Sequence, residues 1–183
     1  MKLPFSTDFF DSLAYQTMRS QRLGMPHITR ALAFQGIDAM SFVVDHKDRL
    51  TREAFLAWTE KYMSFPEPTQ VLADELFKSR QKHLPPLKKR VALRGSGRMI
   101  EFLDEIDTAE ISLSDTNPQR IRMRTDFFAD TFLMGMTTFM HELKGNPELA
   151  QHVSRRLERL PFSWRAAMSV MADEMRLREL PAQ

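Results

Sequence analysis

A chain of 183 residues with 43% hydrophobic and 10% aromatic content can fill one sizeable core, and its charges nearly cancel, to a net of +2. It has no cysteine, which excludes disulfides, thiolate zinc sites, iron–sulfur clusters and a cysteine nucleophile, and fits a cytoplasmic protein. Asp8 and Asp11 break the first apolar run before signal-peptide length, and no segment approaches the roughly 18 apolar residues of a membrane span.

Only six glycines disfavour a turn-rich β fold and favour long helices. Ser6, Thr7 and Asp8 are good N-cap types and Gly24-Met25-Pro26 is a stop, so a first helix is expected over about 7–23. Phe9, Leu13, Tyr15 or Gln16, and Met18 form its apolar stripe. Pro26 opens a second helix with Ile28, Leu32, Ile37, Met40 and Val44 inward, and Gly36 either weakens it or admits a close neighbour. Thr51 caps a third helix to about Met63, with Leu50 and Phe55 at the hydrophobic-staple positions and Phe55, Trp58 and Tyr62 on its buried face. Pro66 and Pro68 end it. A fourth helix runs from about Thr69 to His83, with Leu72, Leu76 and Phe77 inward, until Pro85-Pro86.

The period then shifts to two. Ile100 and Phe102 flank Glu101, Ile111 and Leu113 flank Ser112, and Ile121 and Met123 interleave with Arg120, Arg122 and Arg124. This reads as a small antiparallel sheet over about residues 98–124, one face on the core and one carrying arginines. Asp126 can cap a fifth helix from Phe127 to Leu143 containing Phe128, Phe132, Met136, Phe139 and Met140, with Gly145 as its stop. Asn146-Pro147 opens a sixth helix to about Leu160, and Ser163 caps a last one striped by Trp164, Met168, Met171 and Met175. The expected fold is therefore α+β and mainly α, one domain over 1–183. About seven helices surround one core, in helical parts 7–84 and 126–180 with the sheet inserted between helices four and five. The last helix either offers a homodimer surface or completes the core of the monomer.

The stretch from Leu76 to Ile100 contains no acid but carries Lys78, Arg80, Lys82, Lys88, Lys89, Arg90, Arg94 and Arg98. These eight cations exceed the net charge of the chain, so the remainder is net negative. Lys88, Lys89, Arg90, Arg94 and Arg98, with Arg120, Arg122 and Arg124, can form one positive face that binds RNA or DNA through phosphates with steep salt dependence. A solvated surface, or a patch pairing with an acidic region, remains the other reading. No aromatic residues interleave with these arginines to signal base stacking. Arg94-Gly95-Ser96-Gly97-Arg98 lacks the strand and helix of a nucleotide fingerprint and reads as a turn. His27, His46, His83, His141 and His152 show no local metal spacing, so no metal or other cofactor is expected. No serine sits in a nucleophile elbow.

Three places resemble uncharacterised bacterial helical proteins that are themselves similar to HEPN domains. They are IDAM with LTREAFLAWTEKYM, ADELFKSRQKH, and the run from GRMIEFL through RMRTDFFADTFLMGMTTFMHEL to LAQHVSRRLERL. The resemblance implies a helical bundle, often dimeric, and in active members a metal-independent ribonuclease whose Arg and His lie four to six residues apart. There the Arg orients phosphate and the His does the acid/base work. Arg80 matches the Arg, but the next His is His83, three residues on, and Pro85 stands five residues on. Arg80 and His83 are thus the candidate catalytic pair, in a degenerate arrangement that implies a non-catalytic member. Cations at a helix C-terminus explain the same residues without function. Three functions follow. One is a binding module that contacts nucleic acid or a protein through the basic surface, one a ribonuclease using Arg80 and His83, and one a purely structural or interaction protein.

Overall fold

A computed structural model describes residues 3–66, 73–80, 82–83, 99–104, 109–114, 117–160 and 173. Among them are six helices and three strands. The helices are α1 (Asp8–Arg22), α2 (Pro26–Val44), α3 (Arg52–Tyr62), α4 (Ala73–Arg80), α5 (Thr125–Gly145) and α6 (Pro147–Leu157). The strands β1 (Met99–Leu103), β2 (Ile111–Ser114) and β3 (Asn117–Arg124) lie between α4 and α5. The protein is mainly helical with a small inserted sheet, as the change of period from 3.6 to 2 requires. The expected seventh helix lies outside the described residues apart from Asp173, which is helical and exposed. No described helix is long and apolar enough to cross a membrane.

α2 is the axis of the fold. Every residue from Ala31 to Val43 is buried, and α1, α3, α5 and α6 all pack against it. A helix apolar on all sides has no solvent face to offer. Gly36 leaves room for a side chain of α5: a Cβ built there would lie 2.1 Å from Phe132 Cζ and 3.0 Å from Leu13 Cδ2. The aromatic core around Phe34, Phe128, Phe132 and Phe139 extends on both sides of this contact.

The local start signals act as their chemistry dictates. Thr51 Oγ1 accepts the Ala54 N–H at 3.2 Å and Asn146 Oδ1 accepts the Leu149 N–H at 3.1 Å. Pro26 and Pro147 occupy first-turn positions. Gly24, at φ +61, takes the left-handed turn that closes α1. Three expectations need correction, two of them in helices. α1 buries Phe10, Leu13, Thr17 and Ser20, leaving Tyr15 57% and Met18 41% exposed. Small hydroxyl residues replace large apolar ones on that face because each satisfies itself locally. Thr17 donates to Leu13 O and Ser20 to Thr17 O, both at 2.8 Å, and the Ser20 and Thr29 hydroxyls meet at 2.8 Å across α1 and α2. α5 begins at Thr125, so Asp126 is inside the helix, not its cap. Its Oδ1 accepts the adjacent Phe127 N–H at 2.7 Å.

The sheet is mixed rather than antiparallel. Its order is β1-β3-β2, with β3 parallel to β1 and antiparallel to β2. β3 folds back antiparallel on β2 and lies between it and β1, running parallel to β1. Ile121 and Met123, fully buried, turn one face to the core together with Ile100, while Arg122 stands opposite Glu101 on one side and Ser112 on the other.

Candidate functional site

The candidate catalytic residues sit at the end of α4. α4 has Asp74 and Glu75 in its first turn and Lys78 and Arg80 in its last, the distribution that a helix dipole favours. Arg80 faces inward. Its Nη1 donates to both oxygens of Asp38 at 2.6 and 2.7 Å. The guanidinium lies 4.1 Å from the Phe77 ring centre and 5.5 Å from that of Phe55. The Asp38 side chain is 6% exposed and that of Arg80 15%, so the pair belongs to the core. Burial pushes the Asp38 carboxyl up to about 6, against the opposing pull of the Arg80 charge and hydrogen bond.

His83 follows in a turn, its N–H donating to Arg80 O at 3.0 Å. Its ring stacks on Phe34 at 5.7 Å with the planes 4° apart, and meets Phe102 edge-on at 5.1 Å. Burial first, then the nearby charges of Arg30 and Lys82, pull it down to about 4, with Asp104 opposing. The imidazole is therefore neutral at pH 7. Arg80 and His83 share a helix end but not a set of neighbours: one is held by a carboxylate and two rings, the other by two different rings. Chemically, Arg80 as placed has its charge committed to Asp38, and His83 is a weak base packed in an aromatic slot.

Beside His83 lies a cluster that the sequence pattern did not single out. Arg30 pairs with Asp104 and donates to Thr125 Oγ1 at 2.8 Å, and Thr125 Oγ1 donates to Asp104 Oδ1 at 2.6 Å. This ties α2 to the end of β1 and the start of α5. The available signal was a lone cation in the first turns of an apolar helix. Next to the cluster opens a cleft of about 390 Å³ lined by Gln21, Met25, Thr29, Leu103 and Thr125, with Asp104 and Asp126 among its walls. Both carboxylates already hold arginines, Asp104 through Arg30 and Asp126 through Arg124. Arg156 was also missed. It lies 5% exposed on the stripe of Ala150 and Val153, stacked 4.1 Å from the Phe42 ring, and donates to Phe42 O at 3.2 Å and Asp48 at 2.9 Å. It thereby serves the carbonyl end of α2. A cation on an otherwise apolar stripe was its signal.

The three sheet arginines share one strand at alternate positions. Arg120 is exposed. Arg122 lies 3.7 Å from Glu101, and Arg124 pairs with Asp126, donating through Nε at 2.9 Å. That pairing holds the Asp126 carboxyl below its usual range. Lys88, Lys89, Arg90, Arg94 and Arg98 lie outside the described residues. No group of three or more metal-ligating side chains occurs among the described residues. Compared with known proteins, the chain matches no family model, no curated protein and no solved structure.

Proposed function

We propose that this chain is a cytoplasmic, non-catalytic binding module. It takes an anionic partner, a nucleic acid strand or the acidic face of a protein, on a basic surface made of Arg120, Arg122 and Arg124 with Lys88, Lys89, Arg90, Arg94 and Arg98. One observation carries the non-catalytic part: the Arg80 guanidinium holds both oxygens of a buried carboxylate and is flanked by two rings. An arginine that orients a phosphate must present its N–H fork to the substrate. Turning Arg80 toward a substrate while α4 stays docked would strand the Asp38 charge in the core, a cost of several kcal/mol. Support for the binding part comes from the exposed Arg120 and the half-exposed Arg122 on one strand. The Glu101 contact of Arg122, at 3.7 Å between partners each about 40% exposed, is weak enough for a phosphate to displace.

Fluorescence anisotropy with labelled RNA and DNA across a salt series tests this. Binding is expected at low salt and should fall steeply as salt rises. The Arg120→Gln and Arg122→Gln variants should each shrink the logarithmic salt slope by about 0.7–0.9. Absence of binding to either nucleic acid at low salt would leave only the acidic protein partner. Metal-independent RNA cleavage that is lost in His83→Ala would instead establish the HEPN-type ribonuclease reading.

A further inference from the structure

The seat of α4 buries polar groups that are not all satisfied, whereas the buried Thr17, Ser20 and Thr29 hydroxyls elsewhere in the core are hydrogen-bonded. Three of its eight residues, Glu75, Ser79 and Arg80, carry a buried side-chain atom without a hydrogen-bond partner among the described residues: Oε2, Oγ and Nε respectively. Glu75 is 6% exposed and Ser79 5%. Each such atom has given up water without replacement, and would regain it if the seam opened. Against this, the apolar anchoring is small: Ala73 and Leu76 are buried and Phe77 is half-buried, edge-on to Phe55 at 5.3 Å. Among the described residues its outward face is tied to α3 by the partly exposed Asp74–Arg52 pair, while Lys78 pairs with Asp74 within α4 itself. The sequence isolates α4 as well, with Pro66 and Pro68 before it and Pro85 and Pro86 after it, so helix cannot propagate in or out.

We propose that α4 is a detachable element. It undocks from α2, α3 and β1 as one unit, breaking the Asp38–Arg80 pair, while α2, α5 and α6 stay folded. The docked and undocked forms are two states of one fold, and whatever binds near α4 can select between them. This does not depend on the binding function proposed above. The buried ion pair is the latch, since it joins α4 to the central helix and would be rehydrated on opening. The unpartnered groups narrow the gap between the two states, because they make the closed state less favourable than an apolar seam would be.

Native-state hydrogen exchange of the full chain, read by mass spectrometry at increasing low concentrations of urea, tests the idea. Amides in α4 should exchange at least about tenfold faster than those of α2 and α5, with a shallower dependence on urea. The paired substitution Glu75→Met and Ser79→Ala should slow α4 exchange by about tenfold, since it removes two unpartnered groups without adding any. Exchange of α4 at the same rate and urea dependence as α5 would mean that it opens only on global unfolding, and overturns the proposal. So would unchanged or faster α4 exchange in the substituted protein, because Glu75 and Ser79 would then be contributing to the closed state.

Discussion

Arg80 shows how far a residue's role depends on a partner distant in sequence. Its bland reading, a cation near helix carbonyls, and its functional reading, a phosphate ligand, both rest on local spacing. The contact that decides its surroundings is to Asp38, 42 positions earlier. A single acid inside the apolar run of α2 was the trace of that contact, but nothing local named its partner. Arg80→Ala should destabilise the protein by about 3–5 kcal/mol in urea unfolding, because it leaves the Asp38 charge buried and unpaired. The double variant Asp38→Leu with Arg80→Met should recover most of that loss. A double variant no more stable than Arg80→Ala would show that the pair contributes more than mutual neutralisation.

Asp38 and His83 also make opposed contributions to the pH dependence of stability. The folded-state value of Asp38 is raised, so its contribution is present below about pH 4 and is lost as the pH rises through about 6. The folded-state value of His83 is lowered, so its contribution is present above about pH 6.5 and is lost as the pH falls through about 4. Over pH 4 to 6 the two slopes have opposite sign and largely mask each other in the intact protein. Urea midpoints measured across that range should fall with rising pH in His83→Phe, and rise with pH in Asp38→Asn. The same sign of slope in both variants would refute the assignment.

At the scale of elements, what the sequence made legible was what short-range chemistry determines. Thr51, Asn146, Pro26 and Pro147 mark their helix starts because a cap or a missing N–H acts within three or four residues. Thr51→Ala and Asn146→Ala should each lower stability by about 1 kcal/mol. Strand existence was legible from alternation, but strand direction was not. Alternation fixes which side chains share a face and says nothing about the order of neighbours, so the parallel register of β1 on β3 escaped it. The stripe of α1 misled in part, because it placed Met18 and either Tyr15 or Gln16 inside; Met18 and Tyr15 are exposed and Gln16 is half-buried, whereas Thr17 and Ser20 pack inside with their hydroxyls paired. Gly36 was read as either weakening α2 or admitting a close neighbour, and Phe132 of α5 is that neighbour. Gly36→Ala should therefore cost about 1–3 kcal/mol by overpacking, despite the better helix propensity of alanine. A variant as stable as the parent would mean that the Phe132 ring moves aside without cost.

For the whole molecule, the arrangement separates two sets of cations. Arg30, Arg80 and Arg156 are drawn inward, each matched by a carboxylate: Arg30 joins α2 to the end of β1 and the start of α5, Arg80 joins α4 to α2, and Arg156 joins α6 to the end of α2 and the loop that follows it. Arg120 and Arg122 remain on the open face of the sheet. Net charge could not distinguish the two sets, since +2 is the same whichever cations are committed. The proposed division of labour is that inward arginines hold the fold and outward ones meet an anionic partner. The most direct test compares RNA affinity at one fixed low salt for three proteins: the parent, Asp38→Leu with Arg80→Met, and Arg120→Gln with Arg122→Gln. The expected result is parental affinity in the first double variant, and affinity in the second reduced by about tenfold or more with a smaller salt slope. Loss of binding in the Asp38 and Arg80 variant, with binding retained in the Arg120 and Arg122 variant, would contradict the account.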